Sequence, residues 1–307
     1  MITIDRNLKN NKDELLSFFR DRSEESLQEI KQVYSDTQYK KRASAINRAI
    51  YKTRQELLKT VNQKANRENW QQEDLLKTHL MVTYVSYIAL LEYRNLVWSY
   101  EYMAFSRRIG ELWEPFVKLC FEYPITDIDL FVPPLFSEVK RDLQKEISDY
   151  IDALKITSDQ KNNLKKYYQK VWSLVTSGEI KLEMDLHFHK DQYKHVIDFK
   201  SGFGSNEKGN TNRLLLVATI YQNLEQNYRC VLLVRSEEDT NNNYFRILKY
   251  SGVWEAYCGS EAYDKIKDYS GFNIRNWIEN NVDWANDLSI ELGEHLDRNN
   301  LLSYLRW

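Results

Sequence analysis

Residues 180–200 read IKLEMDLHFHKDQYKHVIDFK, and the predicted fold is built around this stretch. From Ile180 to Phe188, apolar residues alternate with polar ones, which is the pattern of a β-strand with one apolar face. Lys190 to Lys194 is a polar turn, and His195 to Lys200 has the composition of a second strand. The stretch therefore predicts a β-hairpin.

The register of this hairpin follows from its turn. A turn centred between Asp191 and Gln192 sets Asp185 opposite Asp198. Because side chains two residues apart on a strand share a face, Lys200 lies on the same face as Asp198. We therefore expect two carboxylates and one lysine to meet on one side of the hairpin.

The same register pairs apolar residues on the other side of the hairpin. It sets Leu186 opposite Ile197 and Met184 opposite Phe199. A slip of one residue would send this apolar set to the wrong face, so burial of the set fixes the pairing. One register thus builds an apolar core and gathers the charged residues.

The charged side has the residue types that metal-dependent hydrolysis of a phosphodiester requires. Two close carboxylates without a neutralising partner are costly, so we expect a cation between Asp185 and Asp198. Mg²⁺ prefers carboxylate oxygens and waters, would hold a phosphate oxygen, and would lower the pKa of a bound water. Lys200 would orient or help to deprotonate that water and offset phosphate charge.

Asp185, followed after twelve residues by Asp198-Phe199-Lys200, resembles the motif of the PD-(D/E)xK nuclease superfamily, which includes many type II restriction endonucleases. In this resemblance, Asp185 matches the first acid, Asp198 the second acid and Lys200 the motif lysine. Met184 stands where the first motif often has proline. The resemblance covers roughly Arg107 to Arg235.

The resemblance implies an α/β fold: a restriction-endonuclease-like core with a mixed central β-sheet flanked by helices. Superfamily members often carry a glutamate near the metal on a helix before the hairpin, and here we favour Glu114, with Glu111 second. Asp185, Asp198 and Glu114 would ligate Mg²⁺. After the lysine, members continue with a helix and a buried strand. The resemblance further implies double-stranded DNA as substrate and a homodimer.

Several alternatives stay open. The hairpin could be purely structural, with a surface salt bridge among Glu183, Asp198 and Lys200. Within the superfamily, a repair or mobile-element nuclease competes with a restriction endonuclease, and a catalytically inactive nucleic-acid-binding protein is a third reading. The histidines suggest zinc, but parity opposes it because His187 and His195 should lie on opposite faces, and a solvent-facing role is expected for His187.

The rest of the chain predicts helices on both sides of the hairpin. The first hundred residues contain no Gly and no Pro, which favours helices joined by short turns. We predict helices over Arg42–Asn66, Leu75–Trp98, Gly110–Glu122 (beginning near Leu112, so that Pro115 is tolerated), Val139–Leu154, Ser158–Val175 and Thr211–Asn223, strands over Arg229–Arg235 and Tyr244–Tyr250, and a helical tail from Asp264. We divide the chain into a helical N-terminal region for DNA contact or dimerisation (1–100), the nuclease core (101–250) and a C-terminal helical extension (251–307).

Charge is unevenly distributed along the chain. The net charge is −2, but residues 31–68 contain ten basic and three acidic residues. Such asymmetry fits one phosphate-facing surface, although a solvated helix face gives the same pattern. The helix around Arg42 to Arg54 is one candidate for DNA contact. Further candidates flank the motif: Arg107, Arg108, Lys208, Asn212 and Arg213.

Other classes of protein are disfavoured by what the sequence lacks. Its three cysteines lie far apart without a CxxC pair, which argues against a zinc ribbon or a disulfide framework. The loop Ser201–Ser205 has no following Gly-Lys-Ser/Thr, so no nucleotide cofactor is expected; its flexible backbone would instead approach a DNA strand. No apolar run is long enough to span a membrane, and a reducing, cytoplasmic setting is the simplest expectation.

Overall fold

The computed structural model describes residues 2–175, 180–204, 207–224 and 227–307. In these ranges the chain is an α/β protein with one open, mixed sheet of five strands among helices. The expected α/β class and mixed sheet are therefore confirmed. None of the described helices combines the length and the apolar character that crossing a bilayer requires.

Three long helices form the N-terminal region: α1 (Lys12–Val33), α2 (Tyr39–Glu68) and α3 (Gln72–Val97). The helices predicted over Arg42–Asn66 and Leu75–Trp98 are thus confirmed. Helix α3 is buried on most of its surface, because apolar residues occupy all its sides and α1 and α2 cover it.

Helix α4 (Tyr102–Glu122) is longer than the sequence predicted. It begins well before Leu112, so Pro115 lies in its interior rather than in its first turn, and that part of the prediction was wrong. Phe105, Ile109 and Leu112 form a buried stripe at helical spacing. Packing of this stripe outweighs the hydrogen bond that Pro115 cannot donate.

An antiparallel and a parallel segment of the sheet meet at the strand that carries Asp198. The strands are β1 (Asp129–Leu130), β2 (Leu186–Lys190), β3 (Tyr193–Lys200), β4 (Tyr228–Val234) and β5 (Glu255–Cys258). The spatial order follows the chain order; β1, β2 and β3 pair antiparallel, whereas β3, β4 and β5 pair parallel. The sheet is therefore mixed, and β3 stands where its two halves join.

Helices connect and cover these strands. They are α5 (Phe136–Ala153), α6 (Ser158–Val175), α7 (Lys208–Leu224), α8 (Asn243–Lys249), α9 (Gly259–Ser270), α10 (Ile274–Asn281), α11 (Trp284–Asp287) and α12 (Ile290–Arg298). Helices α5 and α6, α7 after the motif lysine and the helical tail agree with the prediction. Helix α7 is the crossover that makes β3 and β4 parallel.

The strand predicted over Tyr244–Tyr250 was wrong, because this segment is α8. The Asn242 side chain caps the helix by accepting a hydrogen bond from the Tyr244 amide, 2.9 Å away. Phe245 and Leu248, three residues apart, are both buried on one helical face. The strand in this part of the chain is instead β5, which the sequence did not predict.

The predicted hairpin register is confirmed from Leu186 onward, since Leu186 pairs with Ile197. The pairing of Met184 with Phe199 was wrong, because β2 begins only at Leu186. The Met184 amide donates a hydrogen bond to His187 Nε2 at 2.9 Å, and the chain bends at Asp185. Met184 consequently packs on the opposite side of the sheet from Phe199.

Two hydrophobic cores cover the two faces of the sheet. The first joins α1–α4 and the C-terminal helices to one face, through residues such as Phe188, Ile197 and Phe199. The second packs α7 and α8 on the other face, around Val196 and Leu232. The first core contains residues from all three predicted regions of the chain.

Candidate active site

The candidate active site lies at the carboxyl end of β3. Asp198 is 1% exposed and shares its face with Val196, beneath α7. Lys200 is the last residue of the strand, and its Nζ lies 2.6 Å from Asp198 Oδ2. The strand therefore places the acid in the interior and the lysine at the border with solvent.

Asp185 reaches the same place from the bend before β2. Its Oδ2 accepts a hydrogen bond from the Phe199 amide at 2.7 Å. The side chain thereby continues the contact between the two strands beyond the point where backbone pairing ends. Asp185 is held close enough for its charge to raise the pKa of Asp198. The carboxylates that the hairpin register predicted to be neighbours are neighbours.

Helix α4 brings a third carboxylate. The charge of Glu114 contributes to raising the pKa of Lys200, so the two side chains interact electrostatically. Lys118, one turn further along, lies with its Nζ 3.1 Å from Glu114 Oε1. Glu111 instead pairs with Arg107 at 2.6 Å and with Arg108 at 3.1 Å. Both glutamates are thus paired with cations on α4, and Glu114 is the one whose charge acts on Lys200.

The close approach of α4 to the end of β3 depends on a glycine. A Cβ atom added to Gly110 would lie 2.7 Å from Ser201 Oγ, well inside van der Waals contact. Ser201 directly follows Lys200 in the chain. The absence of a side chain at position 110 thus allows the helix that carries Glu114 to pack beside the lysine.

The protonation of the central pair follows from burial and charge. Burial raises the pKa of Asp198, and the charges of Lys200 and Arg213 act against that rise. For Lys200, burial alone would lower the pKa, but Asp198, Asp185 and Glu114 together outweigh it, so the pKa is raised. Lys200 is therefore a firmly held cation among three acids.

The donor atoms at this site suit a hard divalent cation. Asp198 Oδ2 is buried and forms an ion pair with Lys200 Nζ at 2.6 Å. Lys200 Nζ also donates to the Phe199 carbonyl at 3.1 Å. Among the described residues, no three His, Cys, Asp or Glu side chains are close enough together to hold a metal as they stand. The carboxylates of Asp185 and Asp198 supply the oxygen ligands that Mg²⁺ prefers.

The residues predicted to contact DNA lie on two helices, α7 and α4. Lys208 and Asn212 are exposed on the first turns of α7. Arg213 is nearer the site, with its guanidinium 3.9 Å from Asp198 Oδ1 and 3.3 Å from Asn210 Oδ1. The second group, on the first turns of α4, comprises Arg107 and Arg108.

His187 was predicted to face solvent, and this was wrong, because it is 5% exposed. Its ring packs near Phe131 and Tyr221 under α7, and Nε2 holds the Met184 amide. His195 lies on the opposite face, stacked on Phe188, so the parity argument against a shared zinc site is confirmed.

Two features of the site were missed in the sequence. The first is Lys118, whose position one helical turn after Glu114 was the available signal. The second is the anchoring of the loop after Lys200, where the Phe203 amide donates to Asn241 Oδ1 at 2.9 Å and the Ser201 carbonyl accepts from the Ser236 amide. This part of the loop, expected to be flexible, is tied to the chain after β4; Ser205 lies outside the described residues.

No protein-family model, no curated protein and no solved structure matches this chain. The functional argument therefore rests on the residues of the site and their arrangement.

Proposed function

We propose that this protein is a Mg²⁺-dependent endonuclease that hydrolyses phosphodiester bonds of double-stranded DNA at a specific sequence, as type II restriction endonucleases do. The observation that carries the proposal is the placement of Asp185, Asp198 and Lys200 together at the end of β3, with the charge of Glu114 acting on Lys200. These residues come from three separate elements and bring together the groups that the motif resemblance requires.

The order of the elements supports the proposal. Helix α4 precedes the hairpin of β2 and β3, and α7 followed by the buried strand β4 comes after the lysine. This is the sequence of elements that the resemblance to the PD-(D/E)xK superfamily implies. The resemblance also supplies the proposed homodimer and the restriction role. A repair or mobile-element nuclease remains the second candidate, because the same elements and the same motif fit it.

Each step of the proposed hydrolysis has a candidate residue in this chain. Asp185 and Asp198 would hold Mg²⁺, with Glu114 as an additional acid at its border. Bound Mg²⁺ supplies a Lewis acid for the phosphate oxygen and lowers the pKa of a water. Lys200 orients that water and neutralises phosphate charge. The first turns of α4 and α7 carry the cations that would hold the DNA backbone.

The test is cleavage of supercoiled plasmid DNA by the purified protein with Mg²⁺, with Ca²⁺ and with a chelator. We expect discrete fragments with Mg²⁺ alone, and no cleavage by Asp198→Asn or Lys200→Ala. Asp268→Asn is the matched control, because this exposed acid lies on α9, whose end packs against the turn of the hairpin, far from Lys200. Thermal unfolding of each variant checks that the fold is retained.

The outcomes separate the candidate functions. Cleavage that persists in both site variants would show that the reaction is catalysed elsewhere. Cleavage of branched or single-stranded DNA without a defined duplex site would favour the repair or mobile-element nuclease. DNA binding without cleavage under any condition would favour the inactive nucleic-acid-binding protein.

A further inference from the structure

A cavity of about 570 Å³ lies between α2, α3 and α4, away from the candidate active site. Its volume is within the range of sites that enclose small organic molecules. The lining includes four rings and a guanidinium: Tyr51, Tyr87, Tyr123, His79 and Arg54. A smaller cavity of about 320 Å³ adjoins it and shares Tyr51, Arg54, Tyr87 and Pro115.

Flat aromatic surfaces line both ends of this cavity. At one end, the rings of His79 and Tyr123 lie 4.0 Å apart and 34° from parallel. At the other end, the Arg54 guanidinium lies 4.9 Å from the Tyr51 ring centre and 5.3 Å from that of Tyr87. Tyr51 is 49% exposed, so part of its ring remains open to a ligand.

The polar groups of the cavity are held in defined orientations. His79 Nε2 lies 2.7 Å from Asn62 Oδ1, which can only accept, so Nε2 carries the proton. The Asn62 amide nitrogen in turn donates to the Tyr123 hydroxyl at 3.3 Å. Further amide side chains, which offer a donor and an acceptor together, stand around the opening: Gln55, Gln63 and Asn66.

The wall formed by α2 belongs to the basic stretch of the sequence, residues 31–68. Arg54 and Lys59 of this stretch line the cavity, where they stand against one acid, Glu122 of α4. A mixture of two partly exposed rings, Tyr51 and Tyr123, with paired donors and acceptors and nearby cations suits a planar base attached to phosphates.

The cavity and the candidate active site lie on neighbouring faces of one helix. On α4, Pro115 and Leu119 line the cavity, whereas Glu114 and Lys118 belong to the active-site cluster. The distance across an α-helix with its side chains is about 10 Å. A strand whose phosphate lies at Lys200 therefore needs to extend only a few nucleotides to bring a base to the cavity.

We propose that this cavity binds a nucleobase of the DNA substrate, turned out of its stack, against the partly exposed rings of Tyr51 and Tyr123. This proposal rests on the proposed function, because it takes DNA to be the substrate. The rings supply stacking, which every base can use, and the amides contact the base edge. Arg54 and Lys59 contact the adjoining phosphates.

The test uses oligonucleotides, single-stranded and duplex, with 5-iodouracil at successive positions, and Ca²⁺ in place of Mg²⁺. Irradiation should attach the label to peptides that contain Tyr51 or Tyr123. The Tyr51→Ala variant lacks a stacking partner, so its affinity for these oligonucleotides should be about tenfold lower than that of the wild type. Tyr250→Ala is the matched control, since this tyrosine is 75% exposed and follows α8, outside the cavity.

Asn62→Ala is a second variant, which removes a contact to the edge of the base rather than a stacking ring. Its thermal unfolding shows whether the fold around His79 is retained. The nucleobase site is overturned if both variants keep the wild-type affinity and the labels attach only outside the cavity. The proposed function is judged separately, by plasmid cleavage, and survives that outcome if the plasmid is still cut. Absence of binding to any DNA overturns both proposals. Displacement of bound DNA by a free mononucleotide at the same tyrosines supports the base-binding chemistry.

Discussion

Acidification should destabilise this protein through His79, a histidine at the base of the cavity between α2 and α4. It is 2% exposed, and burial lowers its pKa to about 4, against an ordinary value of 6.5. The charged side chains that line the same cavity are Arg54 and Lys59 from α2 and Glu122 from α4, and the tyrosines at 51, 87 and 123 also line it. Desolvation of the imidazolium is therefore the main cause of the shift.

The sign of the effect follows from proton binding. Below pH 6.5 the unfolded chain protonates this histidine, whereas the folded chain keeps it neutral until about pH 4. Stability from His79 is therefore fully present above pH 6.5 and is lost as the pH falls toward 4. At pH 5, about 1.5 pH units below the ordinary pKa, protonation of His79 in the unfolded chain lowers the free energy of unfolding by on the order of 2 kcal/mol.

Urea unfolding of wild type and His79→Gln at pH 7.5 and pH 5.0 measures this contribution. The variant loses the buried ring and should be less stable at pH 7.5, but its further loss on acidification should be smaller than that of wild type by about 2 kcal/mol. All other side chains are common to the two proteins, so their contributions cancel in the comparison. Equal losses in the two proteins would refute the assignment of a depressed pKa to His79.

Three further changes test the site itself. Gly110→Leu should abolish plasmid cleavage while the protein still unfolds cooperatively, since the new side chain would force α4 away from the end of β3. Glu114→Gln should raise the Mg²⁺ concentration needed for half-maximal cleavage severalfold, and Glu111→Gln, whose acid pairs with arginines, should leave it unchanged within twofold. The double variant Asp198→Leu with Lys200→Met should be at least as stable as wild type in urea but inactive, because replacing a buried ion pair by apolar groups is often neutral or stabilising by about 1–4 kcal/mol.

The hairpin was predictable because two independent patterns specify its register. The period of two fixes which side chains share a face, and the position of the polar turn fixes which residues oppose one another. The turn is confirmed by Asp191, which takes the left-handed backbone conformation with φ of 54°. Together these patterns were enough to place Asp185 beside Asp198 before any tertiary contact was known.

The same patterns failed at Met184, whose amide is bound by a side chain and not by the backbone of a neighbouring strand. Alternation continues through Met184 in the sequence, but the Met184 amide bonds to the His187 ring instead of a neighbouring strand. The alternation of residues along one strand carries no information about such a partner, since the position of the His187 ring depends on the helix that buries it. Likewise, apolar residues in Tyr244–Tyr250 fit either periodicity, and the cap at Asn242 decides in favour of the helix.

The contribution of α4 could be only partly predicted. The resemblance to the nuclease superfamily suggested the role of Glu114, but the sequence gives no measure of how near α4 comes to β3. That distance is set by Gly110 against Ser201 and by contacts such as Trp113 against Phe199, whose ring centres lie 6.0 Å apart. These residues are far apart in the chain, so their contact depends on the assembled core.

The burial of Asp198 is the strongest argument against a purely structural hairpin. A surface salt bridge would leave both partners accessible to water, yet Asp198 is 1% exposed and Glu183 lies apart from the strand pairing, at an exposed position. A buried ion pair contributes little net stability, because desolvation of the two charges offsets their attraction. An apolar residue at position 198 would fit the core around Val196 and Leu232 better. Stability alone therefore does not explain the acid, whereas the proposed coordination of a cation beside Asp185 would.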